Sequence, residues 1–140
     1  MFFYETRHIL AAAAILAAGT LLAGPLCRAA GDEESRPVTT EKLPNVPGKS
    51  ITAIVVNYPP GAKSVKHHHA GSVLAYVLSG EIRSENSATG PAKVYKAGET
   101  FFEPPGSEHL VSENASATEP ASLLAVFVAD DGAQLTIGNE

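Results

Sequence analysis

From Ile51 onward the chain is a succession of short β-branched and aromatic runs, broken at nearly every boundary by glycine or proline. The runs are Ile51 to Tyr58, Ser64 to His69, Val73 to Ser79, Glu81 to Ser84, Lys93 to Lys96, Thr100 to Glu103, His109 to Glu113 and Leu123 to Val128. Segments of this length and composition, punctuated by turn residues, are strands. A helix would need apolar positions recurring every 3.6 residues, and no window here supplies them. The expectation is an all-β domain, a small antiparallel β-barrel or sandwich.

The ends lie outside that pattern. Arg7 and His8 precede an apolar run from Ile9 to Ala23, followed by Gly24-Pro25 and small residues around Cys27 and Ala29. This is the layout of a secretory signal peptide, so residues 1–29 are expected to be removed after export to the periplasm or cell exterior. The apolar run is shorter than the roughly 20 residues of a spanning helix, so no stable membrane span is expected after cleavage. Cleavage there would also remove the lone cysteine, leaving nitrogen and oxygen donors for any metal site. From Ala30 onward the chain carries eight Lys or Arg against fourteen Asp or Glu, a net charge of −6. Such an acidic chain lacks the basic face that neutralises phosphates, which argues against nucleic acid as a partner. Residues 30–50, with Pro37, Pro44 and Pro47, read as an exposed lead-in with room for one short edge strand, residues 51–129 as the barrel, and residues 130–140 as a turn and fraying tail.

His67, His69 and His109 carry the chemistry. On a strand, successive side chains point to opposite faces, so His67 and His69 present both imidazoles to one side and His68 to the other. His109 arrives from a distant segment through the Pro104-Pro105-Gly106 turn. Three convergent imidazoles suit Fe, Ni, Cu, Zn or Mn, one divalent transition metal whose identity the ligands do not fix. Glu103, between Phe102 and Pro104, is a further candidate. It would reach the metal or act as a general base on a bound substrate, or else sit as a carboxylate on the rim. Glu108 and Glu113 flank His109 as exposed groups or as partners that orient an imidazole. Tyr58 and Tyr76 read as core packing. Asn114-Ala115-Ser116 is formally a glycosylation sequon, a triplet that arises often by chance.

The spacing of these residues resembles the two motifs of the cupin superfamily. Gly61, His67, His69 and Gly80 match the first, and Gly98, Pro104, Gly106 and His109 match the second. The resemblance spans Ile51 to Val128 and implies a jelly-roll barrel (a double-stranded β-helix) with a metal held by His67, His69 and His109. It departs from the family twice. Val73 stands where a carboxylate ligand is usual, and the closing asparagine of the second motif is displaced by one position, to Asn114. Without that carboxylate the metal keeps its full divalent charge and open positions, and some cupins, thiol dioxygenases among them, work with three histidines alone.

Fold does not fix function. The leading expectation is a metal-dependent oxidoreductase of the dioxygenase kind acting on a small organic substrate, in a pocket lined by Val73, Phe101 and Phe102. One alternative is a non-catalytic periplasmic module that captures a small, anionic ligand or the metal itself. Another is a Zn- or Mn-dependent isomerase or hydrolase with Glu103 as base. The resemblance also implies a homodimer, with Pro37 to Lys49 as the candidate contact.

Overall fold

The computed structural model describes residues 31–138. The expected signal segment, residues 1–29, and Cys27 within it lie outside the described residues. The strands are β1 (Glu34–Lys42), β2 (Lys49–Tyr58), β3 (His67–His69), β4 (Ser72–Ser79), β5 (Glu81–Asn86), β6 (Gly90–Lys96), β7 (Thr100–Glu103), β8 (Glu108–Asn114), β9 (Ala121–Asp130) and β10 (Thr136–Gly138). They form two five-stranded sheets, ordered β1-β2-β9-β4-β7 and β10-β3-β8-β5-β6. All pairings are antiparallel. The expected all-β jelly roll is therefore present, as two facing sheets and not as one continuous hydrogen-bonded barrel. No helix among the described residues is long and apolar enough to cross a membrane.

Alternation explains the core. Along β9 every second residue from Ala121 to Ala129 is buried, and along β4 Val73, Ala75 and Val77 are buried. Val73, Val77 and Ile82 are the largest fully buried side chains. Each exchange of a lone apolar side chain from water to such a site contributes about 1.5–3 kcal/mol.

The ends carry more structure than a short strand and a fraying tail. The possible edge strand of the lead-in is present as β1, nine residues long, exposed along its length and paired with β2. Its register shifts between Pro37 and Thr39, the irregularity expected where proline offers no N–H to the ladder. The tail does not simply fray. After the Asp130-Asp131-Gly132 turn, β10 pairs with β3. A three-residue strand leaves an edge of unpaired backbone groups beside the histidines, and β10 satisfies it.

The displaced asparagine has a structural cause. His109 pairs with Asn86, whereas Val111 pairs with Glu85, so β8 holds one more residue than β5 across this step. That bulge restores the inward phase, and Ser112 and Asn114 are buried beside His109. The Asn114 side chain donates to the carbonyls of Tyr58 (3.2 Å), Pro59 (3.1 Å) and Glu119 (2.7 Å), and its oxygen accepts from Ser116 N–H at 2.9 Å. The sequon asparagine is thus a buried structural clamp between two turns.

Candidate metal centre

Strand β3 turns His67 and His69 inward and leaves His68 half-buried on the other side. His109 on β8 is the direct cross-strand partner of His67, and directly opposite residues share a face. One donor nitrogen from each of the three buried imidazoles lies within 4.8 Å of the others. The turn between the motifs is tied to the same strand, because Gly106 N–H donates to the His69 carbonyl at 2.8 Å.

Backbone carbonyls orient two of the rings. His67 Nδ1 lies 2.7 Å from Val65 O, and His69 Nδ1 lies 3.1 Å from Leu135 O. A carbonyl only accepts, so each Nδ1 donates its N–H and Nε2 is the nitrogen left to serve as a ligand. Leu135 belongs to the tail, so the segment read as fraying fixes a ring of the site. His109 Nε2 is 2.8 Å from Ser84 Oγ, and its Nδ1 is 3.1 Å from Glu103 Oε2. Glu103 is 2% exposed, which excludes the rim position. Its carboxyl also meets Asn86 Nδ2 at 3.4 Å and His69 Nε2 at 3.8 Å.

Burial sets the protonation states. It pulls His69 down to about 4, helped by the neighbouring His67, and His109 down to about 3, helped by His67 and His69. Burial pushes Glu103 up to about 7, partly offset by the Asn86 hydrogen bond. At neutral pH His69 and His109 therefore offer unprotonated nitrogen, the form a metal requires.

These shifts predict the acid behaviour of the metal-free protein. Unfolded histidines take up protons near 6.5, whereas the folded ones resist until about 4 and about 3, so stability drains away as pH falls below 6.5. Glu103 works in the opposite sense. The folded carboxyl keeps its proton up to about 7 and the unfolded one releases it near 4.5, so its stabilising contribution is lost as pH rises through 7. Urea midpoints measured from pH 8 to pH 5 should fall on the acid side, and Glu103→Gln should steepen that fall while raising the midpoint at pH 8. Midpoints flat with pH in both proteins would contradict the assigned burial.

The histidines open into a cavity of about 270 Å³ between the sheets. Val73 and Phe101 line it as expected, but Phe102 does not. Its ring is 47% exposed on the outer face of the first sheet, because alternation along β7 sends Phe101 and Glu103 inward and Phe102 out. Tyr76, expected in the core, is on that outer face too, at 43% exposure. Tyr58 is buried, and its hydroxyl faces Ser112 Oγ at 2.8 Å and Ser64 Oγ at 3.0 Å on the cavity wall. Glu113 pairs with Arg83 at 3.2 Å, and Glu108 is exposed. Ser84, Asn86 and Ser112 escaped the sequence reading. The signal for the first two was there, since Ile82, Ser84 and Asn86 alternate and all three are buried.

The donor set fits a divalent transition metal: two imidazoles with fixed Nδ1–H groups, a third opposite them, and a carboxyl alongside. Among solved structures the chain is similar to an uncharacterised conserved protein with a double-stranded beta-helix domain from Klebsiella pneumoniae. The identity is 23% and the TM-score 0.60, over 79% of this chain and 87% of that one. It is also similar to the DMSP lyase DddQ from Ruegeria pomeroyi (21% identity, TM-score 0.55, 64% of this chain and 43% of that one). A third similarity is to the Bacillus subtilis oxalate decarboxylase with Mn(II) centres (28% identity, TM-score 0.53, 63% of this chain and 23% of that one). The chain thus spans less than half of either enzyme. No curated protein matches it in sequence. The sequence model of the cupin domain matches residues 54–127, more than half of the chain, and with the motif spacing and the jelly roll this places the protein in the cupin family.

Proposed function

We propose that this cupin is an exported enzyme that binds one divalent transition metal through His67, His69 and His109 and oxidises a small organic substrate with dioxygen. The observation that carries the reading is the convergence of three buried histidines, two held through Nδ1 by carbonyls, on the wall of a cavity they share with apolar and hydroxyl side chains. The metal, when bound, supplies Lewis acidity and, if it is redox-active, electron transfer. The chain's own residues do the rest. Val73, Phe101 and Phe127 exclude water, and the Tyr58, Ser64 and Ser112 hydroxyls offer hydrogen bonds to a substrate's polar end. Export rests on the charged, apolar and small-residue succession of residues 1–29.

Charge narrows the substrate. Among the described residues the cavity wall carries Glu33 and Glu103 and no lysine or arginine, so only the metal balances a substrate's negative charge. A neutral or monoanionic substrate therefore fits better than a dianion such as oxalate, the substrate in the names of several similar structures. For the implied homodimer, the outer face bearing half-exposed Leu74, Tyr76, Leu78 and Phe102 supports the proposal better than Pro37 to Lys49.

Oxygen uptake by iron- and manganese-loaded protein, measured across a panel of phenols, thiols, monocarboxylates and oxalate, tests the reading. Uptake is expected with a neutral or monoanionic compound and not with oxalate. Tight binding of a panel member to the loaded protein without uptake would favour the binding-module alternative instead.

A further inference from the structure

The position that carries a carboxylate in the first cupin motif is filled here by Val73, and Val73 is directly opposite Glu103 in the β4–β7 pair. Opposed residues on antiparallel strands share a face, with Cβ atoms about 4.5–5.5 Å apart. Both side chains are buried and both line the cavity. A glutamate moved across this rung starts one strand away from the usual origin and still reaches the same space.

The reach is visible in the distances. Glu103 Oε2 lies 3.1 Å from His109 Nδ1 and 3.8 Å from His69 Nε2. Two donors bound about 2.1 Å from a single ion, at right-angled or tetrahedral geometry, are about 3.0–3.4 Å apart. The 3.1 Å contact with His109 falls within that spacing, and the 3.8 Å one with His69 lies about 0.4 Å beyond it, a gap that a small turn of the carboxyl closes. Little else in the structure stabilises its charge, since the Asn86 contact is a long 3.4 Å, and a buried carboxylate without a strong partner is costly. Meanwhile His109 Nε2 is occupied by Ser84 Oγ at 2.8 Å, which leaves Nδ1 turned to the carboxyl.

We propose that Glu103 is the carboxylate ligand of this centre, the family's motif-one ligand transferred across one rung from β4 to β7. The inference rests on the reading of His67, His69 and His109 as a metal centre. It gives three nitrogens and one oxygen, lowers the net charge of a divalent site by one, and assigns Val73 the role of filling the vacated space. The rival role for Glu103 is a positioning one, in which it only holds the His109 ring by a hydrogen bond.

The test is Co(II) titration of the purified protein, without an affinity tag, read by its visible d–d absorption and followed for the parent, E103Q, E103A, and the double variant V73E/E103A. Urea melts of the metal-free proteins establish that each is folded. E103Q and E103A are expected to bind Co(II) about 100-fold or more weakly with an altered band, a larger loss than the roughly 10–100-fold typical of a residue that merely orients a ligand. V73E/E103A should recover to within about tenfold of the parent, because the carboxylate returns by the other strand. Parent affinity and an unchanged band in E103A would overturn the proposal. So would a loss in E103A that V73E fails to restore, which marks a positioning residue. A parent that binds no Co(II) at all removes the centre itself, and is told apart because all four proteins then behave alike.

Discussion

Replacing His67, His69 and His109 together by alanine abolishes stoichiometric metal binding. The parent, reloaded with Fe(II), Mn(II) or Zn(II) and desalted, should retain about one ion per chain by elemental analysis, and the triple variant none. The same difference appears in stability. A ligand that binds only the folded state at about 1,000 times its Kd adds about 4 kcal/mol, a rise in Tm on the order of 20 °C for a domain of this size. The variant should show no metal-dependent rise at all. Removing three buried rings opens space and takes the His109 partner from the buried Glu103 carboxyl, so a urea melt of the metal-free variant is the control that shows it folded. Equal metal retention by parent and variant, or none by either after reloading, would leave a jelly roll whose motifs persist as architecture.

Gly71→Ala should cost about 3 kcal/mol or more, at or beyond the upper end of ordinary overpacking. A Cβ at this position would stand 2.2 Å from the Val128 carbonyl oxygen and 2.7 Å from Ala129 Cβ. The obstacle is the main chain of β9, a central strand paired on both sides, and no flexible side chain can move away. Since Ser72 opens β4 against Val128, the start of β4 must lift from β9, and His69 two residues upstream moves with it. Metal affinity should therefore fall along with Tm. Gly138→Ala provides the contrast, because a Cβ there meets nothing within 4 Å and its backbone is not left-handed. Equal midpoints for the two variants in urea would refute the close approach.

The strands and the three histidines were legible because both depend on local pattern: period-two alternation, turn residues at the breaks, and two spaced motifs. The faces of the first sheet were not. On β4, Val73, Ala75 and Val77 point inward while Leu74, Tyr76 and Leu78 point outward, so an apolar residue stands at every step and alternation cannot choose. The same ambiguity placed Phe102 in the cavity. Glu103 was recognised as a candidate but not positioned, because its phase depends on the β4–β7 register, a tertiary fact. The tail strand escaped for a related reason. Thr136–Gly138 is too short to announce itself, and it is ordered by the open edge of β3 more than by its own sequence.

The dependence of His69 on Leu135 reaches into the biosynthesis of the protein. A chain is made from its N-terminus, so the His67-His68-His69 run emerges well before the carbonyl that orients its last ring and before the β10 strand that covers its edge. Any ion caught by the emerging run meets loose imidazoles with no defined geometry, and the complete donor set exists only once residues 135–138 have docked. Affinities of such donors follow much the same order at any site, so occupancy is governed by which ions are at hand when the site closes. For the exported metalloprotein proposed above, the compartment in which the chain finishes folding, more than the one in which it is synthesised, would then choose the metal.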